Sequence, residues 1–168
     1  MELRLAAEQD LPEIKNMYRQ IVVKMMADGF TVWDEVYPCE FLKEDIQNQQ
    51  MYVLENQKQI VSAFALCPSH TGSGCVEWQE KSASALYIDR LGVNVNYLRK
   101  GIGFLAIQNA MILCRQMHIE YLRLFVVDSN TPAVQLYQKA GFTKAGGVYE
   151  EIIEDDLILH EYGFEIRV

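Results

Sequence analysis

Residues 83–127 contain the pattern that most constrains the fold: an apolar run, a basic turn with two glycines, an amphipathic stretch and a second apolar run. Apolar residues recur at helical spacing over 101–117, while 83–93 and 121–127 have the composition of buried strands. Strands joined by a crossover helix are parallel, and the connection is right-handed. The sequence therefore predicts an α/β fold with two adjacent parallel strands.

The turn that precedes this helix has the chemistry of a phosphate site. The first N–H groups of a helix have no intrahelical partner, and the macrodipole adds about half a positive charge at that end. Gly101 and Gly103 leave those amides open to an oxygen, while Arg99 and Lys100 add positive charge at the rim. A Gly-x-Gly turn alone is a weak signal, because many such turns only begin a helix.

The rest of the chain predicts further helices on local signals. Asp10 is expected to cap a long amphipathic helix that ends near Gly29, with Glu13 completing a capping box. A second, short helix is expected near residues 40–49. For the last helix, from residue 131 to about 140, Thr131 can be the cap, with Asn130 as an alternative, and Pro132 lies in the first turn.

Period-two patterns and turn residues predict the remaining strands. They are expected at residues 2–6, 51–55, 59–66, 142–149 and 157–168. Residues 56–58 should join the second and third of these as a hairpin. The terminal strand also offers an edge at which a second copy could pair, so a homodimer is left open.

Length and composition exclude several classes of protein. The 168 residues, 50% of them hydrophobic, suit a single domain over residues 1–168. A net charge of −8 argues against a nucleic-acid surface. Without an apolar run long enough for a signal peptide or a membrane span, we expect a cytoplasmic protein with no membrane partner. The four cysteines lack the short paired spacings of a metal site, so no metal is predicted.

The glycine turn also fits a rival pattern. Gly101, Gly103 and Ala106 satisfy the Gly-x-Gly-x-x-Gly/Ala fingerprint of dinucleotide-binding folds. That fingerprint requires a tight turn directly after the strand, repeated βαβ units and an acidic residue at the end of the next strand. Here residues 94–100 separate the strand from Gly101, antiparallel hairpins flank the motif, and only Asp128 stands where an acid is needed. An NAD-type site is therefore the less favoured alternative.

Three segments together resemble the GCN5-related N-acetyltransferase (GNAT) superfamily: YIDRLGV at residues 87–93, YLRKGIG at 97–103 and NTPAVQLYQKAGF at 130–142. In that family the first two form a strand and a phosphate loop, Gln/Arg-x-x-Gly-x-Gly/Ala, and the third is an Asn-x-x-Ala-x-x-x-Tyr helix followed by Gly-Phe. The resemblance covers nearly the whole chain. It departs from the pattern at Leu98, where the family has Gln or Arg, and Arg99 stands beside that position.

The resemblance implies a single-domain GNAT fold. Its mixed central sheet has about seven strands and about four flanking helices, and its splayed parallel central strands form a slot for coenzyme A. By the same resemblance the residues that bind acetyl-CoA are Leu91, Gly92, Val93, Leu98, Arg99, Lys100, Gly101, Ile102, Gly103, Asn130, Ala133 and Tyr137. Within the strand, Gly92 is expected to mark a bulge or a close approach of another group.

The implied activity is transfer of an acetyl group from acetyl-CoA to a primary amine of a small molecule or peptide, by direct attack in a ternary complex. A non-catalytic acyl-CoA-binding or regulatory module is the alternative. Tyr137 is the expected general acid, and a backbone N–H near Leu91 the expected oxyanion donor. Asp89 is the expected base, with Glu35, Glu77 or a water relay as rivals.

Recognition of the amine should fall to loop residues, because members of the family share the coenzyme site and differ in these loops. The candidates are Trp33, Glu35, Tyr37, Glu77 and Trp78. Aromatic rings and carboxylates suit a cationic amine, although both tryptophans equally fit a packing role. The sequence does not distinguish a polyamine, an amino acid, an aminoglycoside or a protein N-terminus.

Overall fold

A computed structural model describes residues 1–30, 32–34, 36–154 and 157–168. By internal contacts the chain forms two compact units, the first made of residues 1–66 and 89–109 and the second of 67–88 and 110–168. The elements in chain order are β1 (Glu2–Leu5), α1 (Leu11–Ala27), α2 (Leu42–Gln47), β2 (Met51–Asn56), β3 (Gln59–Cys67), β4 (Val76–Glu77), β5 (Ala85–Val93), α3 (Ile102–Gln116), β6 (Tyr121–Val127), α4 (Thr131–Lys139), β7 (Thr143–Lys144), β8 (Gly146–Gly147), β9 (Tyr149–Glu154) and β10 (Leu157–Arg167).

The first unit has the strand order β1-β2-β3-β5, with antiparallel pairing of β1 with β2 and of β2 with β3. Gln57 and Lys58 join β2 to β3 with φ values of 50° and 64°. Two consecutive left-handed residues match the right-handed twist of paired strands, so the predicted hairpin is confirmed.

The long helix α1 buries one apolar stripe, made of Ile14, Met17, Tyr18, Ile21 and Val22. The capping box predicted at its start is wrong, because the Asp10 side chain caps none of its N–H groups. Asp10 Oδ2 instead accepts hydrogen bonds from the Ala7 N–H at 2.7 Å and from Arg4 Nη1 at 2.6 Å.

The second unit contains the predicted parallel pair. The register of β5 and β6 runs from Ala85 opposite Tyr121 to Tyr87 opposite Arg123, and β5 then continues to Val93. A short parallel register is what the resemblance implied. The strand expected over residues 142–149 is instead divided into β7 and β8, of two residues each, and β9 begins at Tyr149.

The terminal strand β10 is paired on both sides at Glu161, Phe164 and Glu165, so the expected edge is not open at these residues. It pairs antiparallel with β6 from Glu161 to Arg167, with β9 from Leu157 to Glu161, and with β7 at Phe164 and Glu165. A homodimer through the rest of this strand stays a prediction.

A buried ion pair lies in the second unit between β6 and β10. Arg123 Nε donates to Glu165 Oε2 at 3.2 Å, and the two side chains are 3% and 2% exposed. Arg123 Nη2 also donates to the Glu80 carbonyl at 2.7 Å, and Glu165 Oε1 accepts from the Gln79 N–H at 2.6 Å. This pair therefore holds the segment after β4 against the two strands.

Candidate active site

The turn that follows β5 presents backbone N–H groups. Leu98 is extended, Arg99 has φ 59° and Gly101 has φ 77°. The Leu105 N–H donates to the Gly101 carbonyl at 3.0 Å, which closes the first turn of α3. The amides of residues 102–104 therefore precede the first intrahelical bond. Turn conformations of this kind make concave sites for anions.

The environment of Gly101 shows why glycine stands there. A Cβ at this residue would meet nothing within 4 Å, so space does not require glycine. The positive φ does, because L residues with a Cβ rarely adopt it. The result is a turn with open space beside its amides, which fits a diphosphate.

The side chains of this loop place positive charge around it. Lys100 Nζ donates to the Asn96 carbonyl at 2.9 Å and lies 4.9 Å from the centroid of the Tyr97 ring. Leu98 is 41% exposed, and Arg99 is also exposed. The exposed apolar Leu98 side chain suits a position that contributes through its backbone.

Gly92 is a close-approach position, one of the two alternatives predicted for it. A Cβ there would lie 2.8 Å from Tyr18 Cε1 and 3.0 Å from Ile21 Cδ1. The Gly92 carbonyl accepts a hydrogen bond from Ser62 Oγ at 2.7 Å. The left-handed residue in this part of β5 is Arg90, with φ 53°.

Asp89, the predicted base, is bonded to its neighbour. Its Oδ1 accepts from the Arg90 N–H at 2.7 Å, and its Oδ2 accepts from Arg90 Nη1 at 2.8 Å. Strict alternation would place these two side chains on opposite faces of the strand, but the left-handed φ of Arg90 breaks that alternation. The Asp89 side chain is 25% exposed.

One predicted acceptor residue contacts Asp89 in the first unit, and a second packs beside it. The Tyr37 hydroxyl donates a long hydrogen bond of 3.4 Å to Asp89 Oδ1. The Trp33 ring lies 6.2 Å from the Tyr37 ring, and Tyr37 lies 5.7 Å from Phe41. Trp33 and Tyr37 are half-buried. Glu35, the predicted carboxylate of this loop, lies outside the described residues.

The predicted residues of α4 lie in the second unit. Asn130 Oδ1 accepts from the Ala133 N–H at 3.4 Å and is the N-cap, so the alternative with Asn130 is confirmed and Thr131 is not the cap. Tyr137 is buried, and its ring lies 5.9 Å from Phe142 in an edge-on arrangement.

Trp78 is packed inside the second unit, which fits the packing role that the sequence left open for it beside acceptor binding. It is 7% exposed, and its indole N–H donates to the Ser73 carbonyl at 2.9 Å. The Arg123 guanidinium carbon lies 4.6 Å from its ring centroid. Glu77 is exposed and pairs with Gly146 in the two-stranded sheet of β4 and β8.

The sequence reasoning missed Asp45 and Tyr18 as partners of Arg90. Asp45 stands with Leu42 and Ile46 on the buried face of α2. A carboxylate on an apolar face needs a cation, and this signal was present in the sequence. Burial raises the pKa of Asp45, and Arg90 opposes that shift. Burial also raises the pKa of Tyr18, whose hydroxyl donates to the Ala63 and Arg90 carbonyls.

The second unit also holds an unpredicted ring cluster around His70. His70 stacks on Phe125 at 4.2 Å, and its Nδ1 accepts from the Gly72 N–H at 3.1 Å. The Tyr87 hydroxyl shares a hydrogen bond of 2.6 Å with Ser73 Oγ. The only sequence signal for this ring cluster was the aromatic content of residues 70–87.

The described residues provide neither a membrane-spanning helix nor a cluster of metal ligands. Among the helices in the described part of the chain, none combines the length and apolar character needed to cross a bilayer. Within the residues that the structure describes, no three His, Cys, Asp or Glu side chains are grouped to hold a metal ion.

Comparison with known proteins identifies the family. The sequence profile of the acetyltransferase (GNAT) family matches residues 19–142, more than half of the chain. The protein therefore belongs to the GNAT acetyltransferase family. Its relative YwnH of Bacillus subtilis (strain 168), provisionally named a phosphinothricin acetyltransferase, is 26% identical over 159 residues, which is 93% of this chain and 91% of YwnH.

Solved structures share the fold. A GNAT-family acetyltransferase from Streptococcus agalactiae 2603 matches with a TM-score of 0.82 and 15% identity, covering 99% of this chain and 95% of that one. The structure of yncA from Salmonella typhimurium, provisionally classed as an acetyltransferase and solved with its cofactor acetyl-CoA, matches with a TM-score of 0.71 and 12% identity, covering 99% and 93%.

Proposed function

We propose that this protein transfers the acetyl group of acetyl-CoA to a primary amine of a small molecule or peptide, by direct attack in a ternary complex. The observation that carries the proposal is the turn over residues 98–103, where left-handed Arg99 and Gly101 precede the open N–H groups of α3. Family membership and the acetyl-CoA bound to yncA support the same cofactor here.

The coenzyme is proposed to bind through backbone groups. The amides of residues 98–103 would hold its diphosphate, because a helix N-terminus favours an anion and Gly101 leaves room beside them. The backbone of Leu91, Gly92 and Val93 would pair with the pantetheine arm as an added strand does. The family resemblance adds Asn130 and Ala133, at the start of α4, to this site.

The residues supply three functions that acetyl transfer needs. An alkylamine is neutral in only about one molecule in two thousand at pH 7, so its proton must be removed. Asp89 accepts this proton, either directly or through a bridging water. The Leu91 N–H stabilises the oxyanion, which is worth about 3 kcal/mol in comparable sites. Tyr137 donates a proton to the departing sulfur. Bound acetyl-CoA supplies the thioester carbon, at which a C–N bond forms and the C–S bond breaks.

Trp33 and Tyr37 are proposed to bind the amine acceptor, and Glu77 is proposed to contribute a carboxylate to its recognition. Aromatic faces attract cations, and the Tyr37 hydroxyl already contacts Asp89. Trp78 is left out of this set because it is buried under Arg123. We further propose a cytoplasmic protein without nucleic-acid or membrane partners, consistent with the net charge of −8.

The test follows thiol release from acetyl-CoA over a panel of polyamines, amino acids, aminoglycosides and peptides. Tyr137→Phe should lower kcat on the preferred amine by about 10²- to 10⁴-fold, the usual contribution of a positioned acid. Tyr162→Phe, which removes a hydroxyl from β10 in the same unit, is the matched control and should leave kcat unchanged.

Two results would contradict the proposal. If acetyl-CoA binds but no amine gives turnover, the chain is a non-catalytic acyl-CoA-binding module. If NAD raises the thermal midpoint and coenzyme A does not, the dinucleotide interpretation of the glycine turn is correct, since a ligand held by the native state stabilises it.

A further inference from the structure

Arg90 has an unusual backbone for its position. It lies inside strand β5 with φ 53°, whereas extended residues have negative φ. Residues with a Cβ avoid the left-handed region, so surrounding contacts must hold Arg90 there. One residue later begins the stretch Leu91, Gly92 and Val93, to which we assigned the pantetheine arm and the oxyanion donor.

The Arg90 side chain is anchored by a two-pronged ion pair. Its Nε donates to Asp45 Oδ2 and its Nη2 to Asp45 Oδ1, both at 2.8 Å. Both side chains are nearly buried, with 8% and 7% exposed. The guanidinium carbon lies 5.4 Å from the centroid of the Phe41 ring. The planar fork of arginine fits a carboxylate in one orientation, so this pair fixes direction as well as charge.

The backbone of Arg90 is held from both sides as well. Its N–H donates to Asp89 Oδ1 at 2.7 Å, and its carbonyl accepts a hydrogen bond from the Tyr18 hydroxyl. Tyr18 is fully buried in α1. The side chain and both backbone groups of Arg90 are therefore held by α1, α2 and the neighbouring residue of β5.

Stability alone does not account for such an arrangement. Buried ion pairs lose much of their attraction to the cost of removing both charges from water, and well-packed apolar residues often replace them without loss. A left-handed arginine adds backbone strain to that cost. Strained residues that their surroundings over-determine cluster at functional sites.

We propose that Arg90 and Asp45 are positioning residues, whose ion pair holds the left-handed bend of β5 and thereby aims the Leu91 N–H at the thioester carbonyl. The backbone torsions of Arg90 set the plane of the peptide that carries this N–H. The inference rests on the proposed acetyltransferase function. It assigns Arg90 no contact with either substrate.

The test compares Arg90→Ala with Arg90→Gly. Neither variant has the guanidinium, but glycine adopts positive φ without penalty. Misplacing a reacting group by about 1 Å costs up to about 100-fold in rate, so Arg90→Ala should lower kcat about 10- to 100-fold while the acetyl-CoA KM changes less than about 3-fold. Arg90→Gly should regain at least about 5-fold in kcat over Arg90→Ala.

Two further variants separate positioning from stability. Arg4→Ala removes another two-pronged pair in the first unit, where Nη1 and Nη2 bond Asp10 at 2.6 and 3.0 Å, and should lower stability without changing kcat. Asp45→Asn keeps one acceptor oxygen for the Arg90 guanidinium. It replaces Arg90→Ala in the test if Arg90→Ala does not fold. It should lower kcat in the same direction.

A measurement that does not depend on catalytic turnover completes the experiment. In ¹⁵N-labelled protein the Leu91 amide resonance should move in Arg90→Ala and return toward its original position in Arg90→Gly. An unmoved Leu91 resonance in Arg90→Ala, or equal kcat for the two variants, would overturn the positioning role. If the wild-type protein turns over no amine, the proposed function fails, and the Leu91 resonance still decides whether the pair holds the bend.

Discussion

Replacing Gly101 by valine tests the proposed diphosphate site most directly. Gly101 has φ 77°, and a Cβ there meets nothing within 4 Å, so the cost of the change comes from the backbone and not from a clash. A residue with a Cβ pays about 1–2 kcal/mol in the left-handed region, and a β-branched one tolerates it poorly. The loop should therefore leave its observed conformation in most molecules.

The cost converts directly into affinity. A penalty of about 1–2 kcal/mol reduces the population of the binding-competent loop about 5- to 30-fold. Apparent affinity falls by the same factor when only that conformation binds. We therefore expect Gly101→Val to raise the acetyl-CoA Kd and KM about 5- to 30-fold, with the KM of the amine little changed. Gly101→Asn, which tolerates positive φ, should recover part of the loss.

Gly29 provides a matched control in the same unit. It has φ 85°, and a Cβ there also meets nothing within 4 Å, but it follows α1 and is no part of the proposed site. Gly29→Val should lower the thermal midpoint by about 2–4 °C per kcal/mol of strain and leave the acetyl-CoA KM unchanged. Leu98→Ala should also leave that KM nearly unchanged, because the backbone at 98 is proposed to bind.

The assay is isothermal titration with acetyl-CoA, followed by thiol-release kinetics at saturating amine. Equal affinities for Gly101→Val and the wild type would show that the amides of the loop do not bind the coenzyme. An equal loss of acetyl-CoA affinity in Gly101→Val and Gly29→Val would show that the effect comes from a general loss of stability. A large rise in KM for Leu98→Ala would mean that its side chain, and not its amide, makes the contact.

Three further changes have defined outcomes. Glu165→Ala leaves the Arg123 guanidinium buried without its carboxylate and should cost about 3–5 kcal/mol in urea unfolding, whereas replacing both residues by leucine and methionine should recover most of it. The hydrogen bond from Arg4 lowers the pKa of Asp10 in the folded protein. The ionised Asp10 therefore stabilises the fold above its unfolded pKa of about 3.9, and this stabilisation is lost as the pH falls through the folded pKa. In Asp10→Asn the free energy of unfolding should depend less on pH in that range. Gly92→Ala places a Cβ 2.8 Å from a buried tyrosine ring and should destabilise by about 1–3 kcal/mol while raising the acetyl-CoA KM.

The features of the fold that depend on neighbouring residues were predictable. The apolar stripe of α1 follows from its helical period, and the turn at Gln57 and Lys58 follows from two strand patterns separated by residues 56–58. The parallel pairing of β5 with β6 follows from the helix between them. The turn before α3 was also predictable, because its glycines, basic residues and following helix are contiguous.

Two side chains that the sequence misplaced or left ambiguous have partners far away along the chain, and both are polar or aromatic. Glu13 was expected to close a capping box, but its Oε1 accepts from the Ile60 N–H, 47 positions away. Trp78 was a candidate for the acceptor pocket or for packing, and the residue that covers its ring, Arg123, comes from another strand. A side chain with hydrogen-bonding capacity is satisfied by whichever group the tertiary fold brings near, and local patterns carry no record of that group.

The left-handed residues of the first unit sharpen this distinction. Gln49, Gln57 and Lys58 lie in turns, where positive φ reverses the chain, and Arg99 lies in the turn before α3. Among the described residues with a Cβ, Arg90 is the one with positive φ inside a strand. No reversal of the chain explains it, since β5 continues to Val93. A buried ion pair holds Arg90 in this conformation, and such pairs often add little net stability. The direction of the strand edge that follows is therefore the feature that this pair secures.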